Sequence, residues 1–333
     1  MKQLAVGIDI GGTNSVYGLV DREGNMYGEG VVPTKKFPDF DQYLEELYIG
    51  IQSLVKNLDG EHEIIGIGIG APNANYYNGT IEYAANLIWQ GVIPFVEKMK
   101  RYYPTIPILI TNDANAAAIG EMVYGAAKGM KDFIVVTLGT GLGSGFVANG
   151  QLVYGHDSFA GELGHVIVNK TASARVCGCG RKGCLETYVS ATGIKRTAFK
   201  LLADHIEDSE FRNYSFNELT AEMITKAALN GDRLAIEAYE YTGMILGQAL
   251  ADAVTITSPE AIFLFGGLAK AGKYIFEPTK KYMEMHMLSN FRNKVKLLPS
   301  GIDGKNAAVL GASALIWQQL ERNDKRQQGG CGC

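Results

Sequence analysis

The sequence lacks the features that would tie a protein to a membrane or to nucleic acid. No stretch of its 333 residues reaches the roughly 18 uninterrupted apolar positions of a membrane-spanning helix. The apolar stretch nearest the N-terminus, Leu4 to Ile8, stops at Asp9, which is too early for a secretory signal. Positive charge is not in excess, because 31 Lys and Arg residues face 35 Asp and Glu residues. These absences predict a soluble, cytoplasmic protein whose partners include neither nucleic acid nor a membrane.

Cysteine is scarce and unevenly placed, which excludes a secreted disulfide framework. The chain has only five cysteines, an odd number. Cys177, Cys179 and Cys184 fall within eight residues, and Cys331 and Cys333 fall within the last three. A disulfide scaffold is typically a much shorter chain with an even number of spread cysteines. The middle cluster therefore indicates metal chemistry in a reducing compartment, while the C-terminal pair has no predicted role.

A Walker-type phosphate loop is absent, since no Gly-Lys is followed by Ser or Thr, yet glycine itself is abundant at 41 residues. A buried strand at Leu4 to Ile10 leads directly into Gly11, Gly12 and Thr13. The same pattern recurs about 127 residues later, where Phe133 to Leu138 leads into Gly139, Thr140 and Gly141. The repeat predicts two duplicated domains. Each turn is either a simple hairpin turn or a backbone cradle for an anion.

Periodicity predicts an α/β chain. Short apolar runs bounded by turn residues predict strands at 4–10, 15–20, 26–32, 64–69, 106–111, 133–138, 146–148, 151–154, 261–265 and 294–298. Helical spacing of apolar residues predicts helices at 39–58, 92–103, 114–124, 190–203, 217–229, 232–255, 274–287 and 306–320.

Two groups of polar residues suggest chemistry. His165 with the three central cysteines would form a Cys3His set suited to structural Zn²⁺; the alternative is that His165 lies elsewhere and the thiols are free. Asp113 follows a strand at the start of a helix, where it is either an N-cap or a general base. Asp9, at the end of the first strand, is either a turn cap or a carboxylate that holds Mg²⁺ beside phosphates.

Several motifs together resemble a known family. Asp9 to Thr13 (DIGGT) and Leu138 to Gly141 (LGTG) resemble the phosphate loops of the actin, heat-shock and hexokinase superfamily. The longer segment Leu138 to Phe146, with Gly161 to His165 (GELGH) and Cys177 to Glu186 (CGCGRKGCLE), closely resembles the signature of the ROK family of sugar kinases and sugar-responsive repressors. The similarity extends from about residue 4 to about residue 320.

The resemblance implies a two-domain, actin-like (ribonuclease H-like) ATPase fold, with duplicated mixed β-sheet domains and a cleft between them. The smaller domain is expected at 1–115 plus about 305–325, and the larger domain, with the zinc loop, at 116–304. Residues 326–333 are expected to form a flexible tail. The resemblance also implies a homodimer.

The resemblance assigns roles to individual residues. Asp113 becomes the catalytic base, and His165 with the three cysteines of the cluster becomes the zinc site. Sugar contacts fall on Asn86, Asn112, Asp113, Glu162, His165 and Glu186. ATP and Mg²⁺ contacts fall on Asp9, Gly11, Gly12, Thr13, Gly139, Thr140, Gly141, Gly266 and Gly267. The chain departs from the family in having Asn73 after Pro72, where glycine is usual; Asn tolerates left-handed dihedrals, so the turn is expected to survive.

The expected activity is ATP-dependent phosphorylation of glucose to glucose 6-phosphate. Kinases for N-acetylmannosamine, N-acetylglucosamine, allose or fructose are the alternatives within the same class. A sugar-responsive repressor is expected to need a DNA-binding segment ahead of the first strand, and only three residues precede Leu4. A polymerising or chaperone-type ATPase is disfavoured, because the cysteine cluster would have no purpose there.

Overall fold

The computed structural model describes residues 1–302, 304 and 307–329, with side chains described to residue 323. The chain divides into two compact units. The first comprises Met1–Gly129, Leu152–Ala160 and the segment that begins at Gly301; the second comprises Met130–Gln151 and Gly161–Ser300.

Both units are built from strands and helices in mixed order. The strands are β1 (Lys2–Ile10), β2 (Ser15–Val20), β3 (Met26–Val32), β4 (His62–Gly70), β5 (Ala74–Asn75), β6 (Thr80–Glu82), β7 (Val92–Ile93), β8 (Ile108–Thr111), β9 (Phe133–Leu138), β10 (Leu142–Ala148), β11 (Gln151–Leu152), β12 (Ala261–Phe265) and β13 (Lys296–Pro299). The α-helices are α1 (Phe40–Lys56), α2 (Phe95–Met99), α3 (Asp113–Val123), α4 (Ala191–Asp204), α5 (Ala221–Leu229), α6 (Arg233–Thr257), α7 (Lys273–His286) and α8 (Ala307–Gly329).

The two main sheets have the same strand order, which confirms the predicted duplication. The first sheet runs β3-β2-β1-β4-β8 and the second runs β11-β10-β9-β12-β13. In the first, β2 pairs antiparallel with β1, and β4 pairs parallel with it. In the second, β10 pairs antiparallel with β9, and β12 pairs parallel with it. In each sheet the strand that precedes the glycine turn is therefore central, and its end presents the turn.

Helix α8 packs directly against the first sheet because two strand glycines allow it. A Cβ at Gly7 of β1 would lie 2.1 Å from the Val309 carbonyl oxygen, and a Cβ at Gly68 of β4 would lie 1.9 Å from that of Ala312. Any larger residue at either position would push the helix away from the sheet. Helix α8 also packs against α3, which carries Asp113 at its first position.

The predicted division at 115/116 falls inside α3, whereas the structure divides the chain after Gly129. A buried carboxylate accounts for the difference. Glu121 of α3 accepts hydrogen bonds from Ala126 N at 2.9 Å and Gly301 N at 2.8 Å. It thereby holds α3, the segment after it and the segment that leads into α8 in one unit.

The elements follow the sequence prediction with some differences. Asp39 caps α1 by accepting hydrogen bonds from the backbone N–H groups of Asp41 and Gln42. The helix predicted at 92–103 is wrong: β7 comes first and only the short α2 follows, because Pro94 disfavours a helical residue before it. Helix α5 begins at Ala221 rather than 217, since the Thr220 side chain caps it. Strand β10 begins at Leu142, directly after the glycine turn.

The C-terminal helix is longer than predicted. Its backbone is helical through Gly329, beyond the expected end at 320. Residues 330–333, which include Cys331 and Cys333 and the end of the expected tail, lie outside the described residues, as does residue 306, the predicted start of α8.

Candidate active site

The first glycine turn joins β1 to β2 in the first unit. Gly11 N donates to the Asn14 carbonyl oxygen at 3.0 Å and closes the turn. Gly12 lies so close to the segment 84–90 that a Cβ there would be 2.3 Å from the Asn86 carbonyl oxygen. Thr13 and Asn86 are both exposed to solvent. Folding therefore brings the predicted sugar ligand Asn86 against the predicted phosphate turn.

Asp9, the second-to-last residue of β1, faces Asp113 of α3. The two residues flank Gly70, since a Cβ on that glycine would lie 3.9 Å from Asp9 Oδ1 and 3.7 Å from Asp113 Cα. Burial, and then the negative charge of Asp113, raises the pKa of Asp9 to about 6. A buried carboxylate with a raised pKa is stabilised when it binds a cation or a proton.

Helix α3 begins at a strand-to-helix corner, and two neighbouring side chains share its N-terminus. Asn112 is the N-cap, accepting from Ala114 N at 2.8 Å, and Asp113 Oδ1 accepts from the same N–H at 2.9 Å. Desolvation raises the pKa of Asp113, although the hydrogen bonds from the backbone of Ala114 and Asp113 itself oppose the shift. The side chain nevertheless stays exposed, so a substrate hydroxyl can reach the carboxylate.

The second glycine turn joins β9 to β10 in the second unit. Gly139 N donates to the Gly141 carbonyl oxygen at 3.1 Å, and the Gly139 carbonyl oxygen accepts from Ala191 N at the start of α4 at 2.9 Å. Gly266, after β12, has a φ of +103°, and a Cβ there would lie 2.7 Å from the Leu138 carbonyl oxygen. The predicted nucleotide residues of the second unit therefore lie side by side.

The predicted metal ligands converge in the second unit. One ligand atom from each of His165, Cys177, Cys179 and Cys184 lies within 4.8 Å of the others. The sulfurs of Cys179 and Cys184 lie 3.6 Å apart, and Cys177 Sγ lies 3.7 Å from His165 Nδ1. Three thiols and one imidazole at these separations fit a closed tetrahedral Zn²⁺ site.

The surroundings of the cluster favour thiolate at one position. Burial acts to raise the pKa of Cys179, but hydrogen bonds from the side chain of Arg181, with Nε at 3.5 Å, from its backbone and from the other two thiols together lower the pKa to about 6. Thiolate is the form that binds a metal. With Nδ1 of His165 toward the sulfurs, its Nε2 lies 4.0 Å from Glu162 Oε2, so the second ring nitrogen faces another predicted sugar ligand.

Arg175 sets the path of the loop between His165 and Cys177. The sequence carried no signal for this role of Arg175. Its guanidinium donates to the carbonyl oxygens of Thr187 and Gly193 and lies 4.5 Å from the Tyr188 ring centroid. Arginine suits this place because its planar fork can satisfy several acceptors at once and stack on a ring. The loop is thereby held against α4.

Glu186 has a contact that sequence reasoning also missed. Its Oε2 accepts from Leu142 N at 3.0 Å, directly after the second glycine turn. A Cβ at Gly141 would lie only 2.2 Å from the same oxygen, so glycine is needed for the carboxylate to fit. The predicted sugar ligand and the predicted phosphate turn of the second unit are thus in contact.

Trp89 is a buried side chain that anchors the segment 84–90, which carries Asn86. It is 5% exposed, its ring packs on Phe40 and Tyr43, and its Nε1 donates to the Phe37 carbonyl oxygen.

Asn73, which stands where the family usually has glycine, adopts a left-handed φ of +51°. The turn is therefore kept, as predicted.

These features place the chain among known proteins. The model of the ROK family matches residues 5–319. The chain belongs to the ROK family. Among its ROK relatives, a glucokinase of Halalkalibacterium halodurans is 34% identical over 96% of this chain and 97% of its own length. A glucokinase of Streptomyces coelicolor is 33% identical over 94% of this chain and 97% of its own length.

A solved ROK structure agrees with the fold. The ROK family glucokinase from Streptomyces griseus, in complex with glucose and AMPPNP, superposes with a TM-score of 0.78 and 29% identity, covering 95% of this chain and 99% of the other. The two mixed sheets of this chain therefore have the actin-like ATPase fold of ROK sugar kinases. Among the described residues, no helix combines the length and apolar character needed to cross a bilayer.

Proposed function

We propose that this protein is an ATP-dependent glucokinase that converts glucose to glucose 6-phosphate. The observation that carries the proposal is Asp113, an exposed carboxylate with a raised pKa that lies beside Asp9 near the first glycine turn. Membership of the ROK family and the glucokinases among its relatives support the same activity.

Asp113 acts as the general base. Its carboxylate accepts the proton of the glucose 6-hydroxyl as that oxygen forms a bond to the γ-phosphorus of ATP. The bond from that phosphorus to the bridging oxygen breaks, and ADP leaves with the electron pair. The raised pKa suits the role, because a base that titrates closer to neutral pH takes a proton more readily.

Backbone and carboxylate groups hold the nucleotide. The residues Gly11 to Thr13 and Gly139 to Gly141 have no large side chains, so phosphate oxygens can approach their backbone N–H groups closely. Gly266 and Gly267 line the adenosine side. Asp9 holds Mg²⁺, which when bound offsets the charge of the phosphates.

A structural zinc ion organises the sugar side. His165, Cys177, Cys179 and Cys184 are its ligands, and their convergence within 4.8 Å supports this. His165 has Nδ1 toward Cys177 Sγ, so zinc bound on that side would fix the ring orientation and leave Nε2 for a sugar hydroxyl. Asn86, Asn112, Glu162 and Glu186 provide the remaining hydrogen-bonding groups for the ring.

The preferred sugar is glucose, because carboxylates serve hydroxyl donors better than an acetamido group. Glu162 and Glu186 can each accept two hydroxyl protons, whereas an amide offers them one donor, and an acceptor left unpaired costs binding. We expect kcat/KM for glucose to exceed that for N-acetylmannosamine at least about tenfold.

A coupled ADP-release assay over a sugar panel at saturating MgATP tests the proposal. The panel contains glucose, fructose, allose, N-acetylglucosamine and N-acetylmannosamine. Preference for an acetamido sugar would contradict the assignment as a glucokinase but would leave the assignment as a sugar kinase intact. If none of these sugars caused release of ADP, the assignment as a sugar kinase would be contradicted.

We further infer that the enzyme is a cytoplasmic homodimer, in keeping with its scarce cysteine and with the family resemblance. Light scattering coupled to size-exclusion chromatography tests the oligomeric state. A monomeric mass across the micromolar range would contradict it.

A further inference from the structure

Glu186 lies between two functions of the second unit. It is the middle residue of a short 3-10 helix, Leu185–Thr187, and follows the metal ligand Cys184 by two positions. One carboxylate oxygen, Oε1, lies 3.8 Å from Cys177 Sγ. The other, Oε2, accepts the N–H of Leu142. The side chain that the proposed function assigns to the sugar is therefore bonded to the phosphate turn.

The bonded N–H belongs to the part of the turn that an anion would use. Leu142 is the first residue after Gly141, and the only side chain within the turn Gly139 to Gly141 is that of Thr140. A carboxylate on this N–H occupies a donor that a phosphate oxygen could take. Its negative charge also repels a polyphosphate. In this arrangement Glu186 occupies one backbone donor directly after the turn.

We propose that Glu186 couples sugar binding to nucleotide binding. Sugar hydroxyls are hydrogen-bond donors, and they compete with Leu142 N–H for the lone pairs of the same carboxylate. A bound sugar draws Glu186 onto its hydroxyls, which releases the Leu142 N–H and spreads the carboxylate charge into new hydrogen bonds. The second glycine turn then accepts the phosphates. The inference rests on the proposed function, because it requires Glu186 to be a sugar ligand.

Coupling of this kind is reciprocal and measurable. Glucose should tighten binding of MgAMPPNP, a non-hydrolysable ATP analogue, about tenfold, which lies within the roughly 5–150-fold range usual for coupled sites. By the same linkage, MgAMPPNP should tighten glucose by the same factor.

Glu186→Ala separates this role from a structural one. Without the carboxylate, the turn is open in the absence of sugar, so sugar-free MgAMPPNP binding should tighten about tenfold and lose its response to glucose. Simple damage to the loop would weaken nucleotide binding instead. Glu186→Gln keeps an acceptor for Leu142 N–H but removes the charge, and its sugar-free affinity should fall between wild type and the alanine variant.

The experiment is isothermal titration of MgAMPPNP into the full chain, with and without saturating glucose. Glu222→Gln is the matched control, since it removes one charge from an exposed position on α5 of the same unit. Its sugar-free affinity should equal that of wild type. If Glu186→Ala does not fold, Glu186→Gln alone carries the test.

The outcomes distinguish this inference from the proposed function. Unchanged or weaker sugar-free nucleotide binding in the Glu186 variants, with glucose still tightening the nucleotide, overturns the coupling and leaves the kinase assignment intact. Failure of wild type to bind MgAMPPNP with or without glucose overturns the kinase assignment and the coupling with it.

Discussion

The two glycine turns of this protein follow the same central strand of the same five-strand order, yet their surroundings differ. Beside the first turn lie two carboxylates with raised pKa values, Asp9 and Asp113, and the backbone of Asn86. Beside the second turn lies Glu186, which follows Cys184, the last member of the cysteine cluster, by two residues. Duplication supplied two backbone cradles, and side chains from other elements gave each its own chemistry.

Because of this difference, substitutions in the first unit should mainly affect catalysis, and substitutions in the second unit should mainly affect stability. Substitutions near the first turn should change turnover or its pH dependence, because two carboxylates with raised pKa values lie there. Substitutions in the cysteine cluster should change metal content and stability, because its side chains hold the loop together.

The largest effect is expected from Asp113→Asn. It keeps the size and the hydrogen bond to Ala114 N but cannot take a proton, so turnover should fall at least about a hundredfold. Glucose affinity, measured by calorimetry, should stay within a few-fold. Asp59→Asn, an exposed aspartate of the same unit, is the control. Near-normal turnover with intact binding would show that Asp113 is not the base.

The next effect concerns Cys179→Ser in the second unit. One missing thiolate opens the tetrahedral site, so zinc affinity should fall at least about tenfold, and thermal stability should fall with it. Elemental analysis of wild type should find one Zn²⁺ per chain. The double variant Cys331→Ser and Cys333→Ser should keep its zinc. Zinc retained after replacement of all three central cysteines would place the metal in the C-terminal pair instead.

Asp9→Asn should stabilise the protein in a pH-dependent way. A folded-state pKa of about 6, above the ordinary 3.8, means that the folded state binds more protons between these values. Stability of wild type is therefore lost as pH rises from about 4 to about 6, while an asparagine avoids that loss. Above pH 6 the variant should be more stable by about 3 kcal/mol, and near pH 4 most of the difference should be gone.

Urea unfolding of both proteins at about pH 4 and about pH 7.5 checks the sign. Equal differences at both pH values would show that the charge of Asp9 is not the cause. The same variant should bind Mg-nucleotide more weakly, which separates its functional role from its cost in stability.

The smallest effect compares the two turns directly through Gly12→Ala and Gly141→Ala. The new Cβ at 12 would meet the backbone oxygen of Asn86 at 2.3 Å, and at 141 it would meet the movable side chain of Glu186 at 2.2 Å. Backbone is harder to displace, so Gly12→Ala should lower the free energy of unfolding by roughly 1–3 kcal/mol and Gly141→Ala by less than about 1 kcal/mol.

Gly139→Ala controls for the loss of glycine itself, because a Cβ there would meet no described atom within 4 Å. Its unfolding free energy should stay within about 0.5 kcal/mol of wild type. Equal costs at 12 and 141 would show that the two turns are packed alike, contrary to the structure.

Much of the fold followed from local pattern. The strands Ser15–Val20, Met26–Val32, Phe133–Leu138 and Ala261–Phe265 have the predicted bounds, because turn-forming residues lie at their ends. The short sheet β5-β6-β7 was not predicted, since strands of two or three residues carry too little periodicity to be recognised.

The candidate site divides in the same way. Motif spacing was enough to name the four metal-ligand candidates and the two glycine turns, and the structure brings each of these groups together within its unit. Spacing carried no signal for Arg175, because two of its partners are the backbone carbonyls of Thr187 and Gly193, and the third is the hydroxyl of Thr197, 22 positions away. It also could not show whether Asn112 or Asp113 caps α3, since both side chains can reach the same N–H.

By itself the sequence determined the duplicated strand-and-turn units, the cysteine cluster and the identity of the candidate base, because each depends on residues close together in the chain. Tertiary structure alone decided the approach of α8 to the first sheet through Gly7 and Gly68, and the contact of Glu186 with the second glycine turn. The physical reason is that these contacts join residues that lie from 44 to 302 positions apart in the chain. Their geometry follows from sheet order and helix packing, which no local pattern encodes.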